Sequence, residues 1–461
     1  MEVRDDRWGH SAECSGRWEP RRQRPPPPLG PAAAAARRAR ALQSSGMAMD
    51  PQPRPRSPLT AEELAAVRRP FRGATLLPAR TYHDPAIFAF EREEWFFREW
   101  ICVGREEDAP DPGTYFTLDL VGEPLVAVRG PDDRLRAFYN VCRHRGTAVV
   151  EGDAGRLVRF QCPYHAWVYD LEGTLVRARH MEDIEDFAPP EFGLTPVRLE
   201  TWGGFVFVNL DANARPLPES MGDWHDHHAR QFRRDFSTLR RAARLEYDVA
   251  ANWKIVAENY SECYHCPGIH PLLNRLTPYD LGVDFEPTGP WKGGWMPLAA
   301  GCETMSMDGL RHGRPAISGA DEVDQGRIYY YILWPNLIVS VHPDYVLTHQ
   351  AWPIAPDRTR VVCDLHVEAD ALARPGFDVS GAVEFWDLTN RQDYHVVELQ
   401  QRGTASRSFL AGRYSNQEAS VHAFDIMAAD RYAMDGRRTA REQRTVVENT
   451  RTTNRKAAAP S

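Results

Sequence analysis

Two mixed metal-type knuckles constrain this chain more than any other feature. Cys142-x-His144 is followed, after 17 intervening residues, by Cys162-x-x-His165. Each knuckle offers one soft thiolate and one neutral imidazole, so a fold that uses all four must bring two short loops face to face. Tetrahedral zinc accepts two cysteines and two histidines. Zinc fingers, however, pair Cys with Cys on one knuckle and His with His on the next. Mixed knuckles suit a binuclear iron–sulfur centre, in which one iron takes both thiolates and the other both imidazoles. Two neutral histidines in place of thiolates also remove negative charge and raise the reduction potential. Gly146, beside the first knuckle, is read as a position of close backbone approach.

The flanking sequence predicts an all-β setting for these loops. Strand-like runs at 124–128, 135–140, 157–162, 167–169 and 204–209 alternate with turn residues at 130–133, 151–155 and 170–173. Phe88, Phe90, Trp95, Phe96, Phe97 and Trp100 predict an amphipathic helix within 80–100. Residues 1–70 carry Pro25 to Pro28, Ala32 to Ala36 and no apolar period, and are expected to be disordered. They lack the apolar core of a secretory signal, and Glu2, Asp5, Asp6, Glu13 and Glu19 are out of place in a transit peptide. Translation is therefore expected to begin at Met47 or Met49. The expected domains are 71–212, holding the first helix and the cluster knuckles, and 213–436, with a flexible tail at 437–461.

A net charge of −8 gives no reason to expect nucleic acid, and no run of about 18 apolar residues is present to span a membrane. Eight cysteines in 461 residues do not make a disulfide framework. With histidines at ligand spacing, they point to metal and a reducing cytoplasm. Cys14 falls in the tail, while Cys102, Cys263, Cys266, Cys302 and Cys363 read as small buried residues.

The second half changes character. A helix at 218–236, a strand at 242–249 and a helix at 253–266 precede a Gly- and Pro-rich region with Trp291 and Trp295. An antiparallel meander at 327–333, 336–341, 345–353 and 359–367 and a long helix at 381–403 follow. On the 253–266 helix, Glu262 and His265 share a face. Pro267 and Gly268 break the helix and let His270 swing back toward His265. Fe(II) sites of the facial type add a carboxylate to two histidines and keep positions open for O₂. Asp393 is the candidate, on an inward stripe with Trp386, Asn390 and Val397; a buried carboxylate is costly without a cation. The run Trp224-His225-Asp226-His227-His228 looks like a ligand set but reads as solvated linker.

Taken together, the two constellations resemble the oxygenase (alpha) subunit of Rieske non-haem iron oxygenases, over roughly residues 75–435. The resemblance implies an α+β chain: an all-β Rieske [2Fe–2S] domain plus a helix-grip (START/Bet v1-like) catalytic domain with an antiparallel sheet. It implies that Cys142, His144, Cys162 and His165 hold the cluster, and that His265, His270 and Asp393 hold mononuclear Fe(II). Glu262 takes the place of the acid that links an iron-site histidine to a cluster histidine of the neighbouring subunit, which requires a head-to-tail ring, usually a homotrimer. Gln401-Arg402-Gly403 and Gly412-Arg413-Tyr414-Ser415 resemble the family's C-terminal segment.

Most ring-hydroxylating dioxygenases carry Asp at the bridge. Glu262, within Glu-Cys-Tyr-His-Cys, resembles the branch acting on choline, glycine betaine, carnitine and proline betaine. That implies O₂-dependent hydroxylation or N-demethylation of a quaternary ammonium compound. No NAD(P) or flavin motif is present, so NAD(P)H would act through a separate flavin/iron–sulfur reductase. Such a cation is held by aromatic faces, and Trp291, Trp295, Tyr329, Tyr330, Tyr331, Trp334, Tyr345 and Trp352 are the pool. Along 327–333, Tyr329 and Tyr331 share one face and Tyr330 takes the other. The competing readings are an aromatic-ring dioxygenase, a non-catalytic Rieske electron carrier and a zinc protein.

Overall fold

The computed structural model describes residues 56–233 and 235–433. The expectations for residues 1–55 and for the tail from 437 lie outside the described residues. Order begins earlier than expected: helix α1 (Ala61–Val67) is capped by Thr60, whose side chain accepts from the Glu63 N–H. Leu59, Leu64 and Val67 are buried. A seven-residue helix is too short to display a period, so the sequence concealed it.

The 80–100 stretch forms α2 (Pro85–Glu91) and a wider turn over Arg92–Phe96, with Phe90, Trp95 and Phe96 buried. The chain then builds β1 (Ile101–Arg105), β2 (Thr114–Leu120), β3 (Glu123–Arg129), β4 (Leu135–Tyr139) and β5 (Ala154–Arg156). A small sheet of β6 (Phe160–Gln161), β7 (Val168–Tyr169) and β8 (Leu175–Arg177) follows, then β9 (Pro196–Trp202) and β10 (Phe205–Asn209). The larger sheet runs β1-β10-β9-β4-β3-β2-β5. A core of Tyr115, Val126, Val128, Phe138, Phe160 and Trp167 fills the space behind the two knuckles.

Past β10, helix α3 (Trp224–Phe232) corrects the reading of 224–228 as solvated linker. Trp224, His228 and Phe232 are buried at the i, i+4, i+8 spacing of one helical face. The second large sheet contains β11 (Leu239–Val249), β12 (Val283–Asp284), β13 (Trp291–Pro297), β14 (Arg327–Leu333), β15 (Leu337–Val341), β16 (Val346–Ala355) and β17 (Arg358–Glu368). Its order is β11-β17-β16-β15-β14-β13-β12, all antiparallel.

Side chains alternate across this sheet. Trp291, Tyr329, Tyr331, Val339 and Val341 join α3 in one core. Tyr330, Ile332, Ile338 and Leu347 face the other way. There they meet α4 (Trp253–Tyr260), α5 (Pro271–Leu276), α6 (Ser380–Thr404) and α7 (Ala419–Ala433). The long helix of that group, α6, is the one that carries Asp393.

One buried ion pair fixes α4. Lys254 Nζ donates to Glu91 Oε1 at 2.7 Å with both side chains 0% exposed, and Trp253 Nε1 donates to the other oxygen at 2.9 Å. Breaking such a pair strands a charge, so Glu91→Ala should cost about 3–5 kcal/mol. Urea denaturation of the two proteins checks this; a loss below about 1 kcal/mol would show the pair to be unimportant.

Candidate metal centres

The first knuckle follows β4, and its loop is clamped by buried Asn140. Nδ2 donates to Val150 O at 2.8 Å, and Oδ1 accepts from the Val149 and Val150 N–H groups at 3.0 Å each. The second knuckle joins β6 to β7. The two turns are alike: Gly146 N–H donates to Cys142 O at 2.9 Å, and Ala166 N–H to Cys162 O at 3.1 Å. Gly146 and Ala166 both have positive φ, +77° and +55°. A Cβ at Gly146 would meet nothing within 4 Å. The glycine takes the left-handed turn that its missing Cβ favours.

The four knuckle side chains face one another. His144 and His165 rings lie 4.6 Å apart, and Trp167 stacks on His144 at 4.8 Å. The Tyr169 hydroxyl accepts from Arg143 N–H at 3.1 Å and shares a hydrogen bond with Cys142 Sγ at 3.2 Å. Burial pushes the Cys142 thiol up. His165 Nδ1 is buried without a partner, which is what a nitrogen meant for iron shows in a metal-free chain.

The second centre lies between α4 and α6. The predicted 253–266 helix stops at Tyr260. Ser261 Oγ turns back to Ala257 O at 2.5 Å, and Glu262 Oε2 accepts from the backbone N–H groups of Tyr264 and, at 3.2 Å, His265. Local side-chain bonds of this kind end a helix and start a new turn. Glu262 and His265 still meet, through a turn and not along a helical face.

Each imidazole is held at Nδ1 and presents Nε2. His265 Nδ1 donates to Glu262 Oε1 at 2.6 Å and His270 Nδ1 to Gln392 Oε1 at 2.8 Å. The Nε2 atoms face Asp393 Oδ1 at 3.2 and 2.7 Å. Ligand atoms of His265, His270 and Asp393 all lie within 4.8 Å of one another, the arrangement one metal ion can fill. Orienting a ligand histidine through its second nitrogen is the usual support of a metal site. Gln392 is the member the sequence did not reveal; its one signal was adjacency to Asp393.

Burial pulls the His265 pKa down, yet the bonds to Asp393 and Glu262 outweigh it and raise it to about 10. The same imidazoles hold Asp393 below the usual carboxylate range despite its burial. Metal must therefore displace a proton. Anaerobic Fe(II) addition to metal-free protein at neutral pH should release about one proton per site. Affinity should rise about tenfold per pH unit until pH nears 10. A pH-stat titration measures this; no proton release would mean His265 is not displaced.

Cys263 and Cys266 correct another expectation. They are joined as a disulfide across the turn bearing His265, with Cα atoms 4.9 Å apart.

A cavity of about 170 Å³ opens on the triad, smaller than the roughly 300–1,000 Å³ of sites for drug-sized ligands. Of the aromatics named from sequence, Trp295, Tyr330 and Tyr331 line it; Trp291, Tyr329, Trp334 and Tyr345 are core. Tyr260, Tyr279 and Trp386 line it as well. Tyr260 meets Tyr330 edge-on at 6.0 Å.

Two family matches cover these two halves. Residues 99–188 match the Rieske [2Fe-2S] domain, and residues 236–434 the ring hydroxylating alpha subunit (catalytic domain). The glycine betaine monooxygenase oxygenase subunit of Pseudomonas aeruginosa is 31% identical over 74% of this chain and 84% of its own. The carnitine monooxygenase oxygenase subunit of Escherichia coli is 31% identical over 73% and 86%. The crystal structure of the quaternary ammonium Rieske monooxygenase CntA with L-carnitine superimposes with a TM-score of 0.67 at 26% identity, covering 81% of this chain and 99% of that one.

The fold and both centres define an iron-dependent oxidoreductase. The chain belongs to the Rieske non-haem iron oxygenases, among their monooxygenase oxygenase subunits. Such a subunit carries a [2Fe–2S] cluster in its first domain and mononuclear iron in its second.

Proposed function

We propose that this chain hydroxylates a quaternary ammonium compound such as glycine betaine, and that demethylation follows. The observation that carries the reading is a small aromatic-lined cavity opening on a two-histidine, one-carboxylate triad. The 31% identity to relatives acting on glycine betaine and carnitine supports it. In this reading Cys142 and Cys162 hold one cluster iron, and His144 and His165 the other. His265, His270 and Asp393 hold the mononuclear iron.

Bound there, the irons supply electron transfer and O₂ activation. The chain's own residues do the rest. Tyr260, Tyr330 and Trp386 offer faces to a methylated ammonium, which has no N–H to donate. Glu262 holds His265 and keeps the exposed edge of the turn, where Tyr264 is 56% exposed. Tyr164, beside His165, is 58% exposed. Two solvent-facing tyrosines, one at each centre, suit a boundary between neighbours. The chain is thus proposed to form a head-to-tail homotrimer in which Glu262 meets the neighbour's cluster.

The oxygenase subunit works with a reductase; a separate flavin/iron–sulfur protein drawing on NAD(P)H is the proposed one. Among the described residues no helix is long and apolar enough to cross a membrane, and a cytoplasmic site is proposed. The balance is N–CH₃ + O₂ + 2e⁻ + 2H⁺ → N–CH₂OH + H₂O, and the carbinol then collapses to formaldehyde and the demethylated amine.

Formaldehyde release with NADH and a compatible reductase tests the proposal across glycine betaine, choline, carnitine, proline betaine and several aromatic acids. Release from at least one ammonium compound is expected. Turnover of an aromatic acid with none of the ammonium compounds would overturn the substrate class.

A further inference from the structure

The cavity has an end that the reaction at the iron does not use. Lys292 projects into it from β13, on the same sheet face as Tyr330 of β14. Its side chain is buried, with the residue 4% exposed. Nζ donates to Ser420 Oγ, on the first turn of α7, at 2.5 Å. Gln417 lines the same end.

A lysine ammonium carries three donors. Among the described residues, no carboxylate reaches within ion-pair distance of this one, 4.0 Å. Lys254, also buried, sets the contrast with its direct bond to Glu91 at 2.7 Å. The acids that act on Lys292 are Asp284, Asp425 and Glu262, all at longer range. Asp284 is the acid that acts on Lys292 most strongly, and Ser420 Oγ accepts the one hydrogen bond that Lys292 makes. Lys292 lines the cavity, and its one bond to Ser420 uses one of three donors. Burial accordingly pulls Lys292 down to about 7 in spite of the three acids. A charge removed from water and left without a direct counterion is costly, and an arriving anion relieves it.

We propose that Lys292 anchors the carboxylate of a zwitterionic quaternary ammonium substrate, so that this chain selects betaines over ammonium alcohols such as choline. The inference rests on the quaternary ammonium reading above. The aromatic faces of Tyr260, Tyr330 and Trp386 take the methylated head, and Lys292 takes the tail. Two-point binding of that kind fixes which methyl group is turned toward the triad. A choline hydroxyl cannot replace the missing charge, so its binding leaves the lysine unpaired.

The test uses the iron-loaded enzyme with its reductase. The zwitterion that turns over fastest in the formaldehyde panel is compared with its own carboxamide, which keeps size and shape but drops the charge. Wild-type enzyme should favour the carboxylate at least about tenfold in KM, and Lys292→Met should bring that ratio down to about one. The loss should fall on KM for the zwitterion, with iron content and melting temperature held. Lys292→Arg should keep most of the selectivity, since charge and not shape is what matters. Equal KM for carboxylate and carboxamide in wild type would overturn the inference without any variant. So would a Lys292→Met enzyme that loses both substrates in equal measure. Absence of turnover with every ammonium compound is a separate result, and it defeats the substrate class itself.

Discussion

Chains bearing Cys142→Ser, co-assembled one to one with chains bearing Asp393→Ala, should recover about a quarter of wild-type turnover although neither parent has any. The first variant lacks a cluster ligand and keeps the iron triad; the second does the reverse. If electrons cross from one subunit to the next, a working site needs a cluster-competent donor beside an iron-competent acceptor. In a ring of random composition each of those two conditions holds half the time, which gives the quarter. If electrons stay within a chain, every mixed assembly is dead. Differently tagged chains, mixed without selection and assayed for product, decide between the two; selecting rings that carry both tags should raise the recovery to about a third. The edges beside His165 and His265 are exposed, with Tyr164 and Tyr264 standing in solvent. No recovery at all, in assemblies shown to contain both chains, would remove Glu262 from its proposed bridging place.

The second large effect separates a ligand from its support. Asp393→Ala should drop the iron content from about three to about two per chain and abolish turnover while the cluster absorbance persists. Asp393 Oδ1 is the oxygen both imidazoles face, while Glu262 and Gln392 sit at the opposite nitrogens. Glu262→Gln should keep about three irons and lose about 10- to 100-fold in activity, because a group that orients a ligand is lost and the ligand itself is not. Iron analysis beside a formaldehyde assay reads both. If Asp393→Ala kept its mononuclear iron, the triad would not be the metal site.

What the sequence disclosed follows from what chemistry demands. Metal ligands must be particular donors at particular spacings, so the two knuckles and the His265–His270 pair stood out before any fold was known. The strands of the meander were legible because β-branched and aromatic residues alternate there. Strand β14, for one, spans Arg327–Leu333 as expected. Strand β13 was hidden for the opposite reason. Gly293 and Gly294 lower its strand propensity, yet they are needed where a Cβ would strike Tyr330 O at 2.4 Å or Val283 O at 2.5 Å. With the strand went Lys292, which lies beside those glycines. The break after Tyr260 was hidden too, since Glu262 favours helices by propensity and here caps a turn by geometry. The register of Gln392 against His270 is a tertiary fact, with no trace in local sequence.

Gln392 and Asp393 are successive residues on α6, yet they reach opposite nitrogens of the same imidazole. The ring is pinched along its long axis by one rigid rod. A half-turn of the His270 ring about its Cβ–Cγ bond would forfeit both partners at once, and the surrounding packing leaves its side chain only 1% exposed. The imidazole therefore waits in one orientation whether or not an ion has arrived. A metal ion entering the pocket meets a donor already aimed, and the entropy of arranging it was settled when the helix docked.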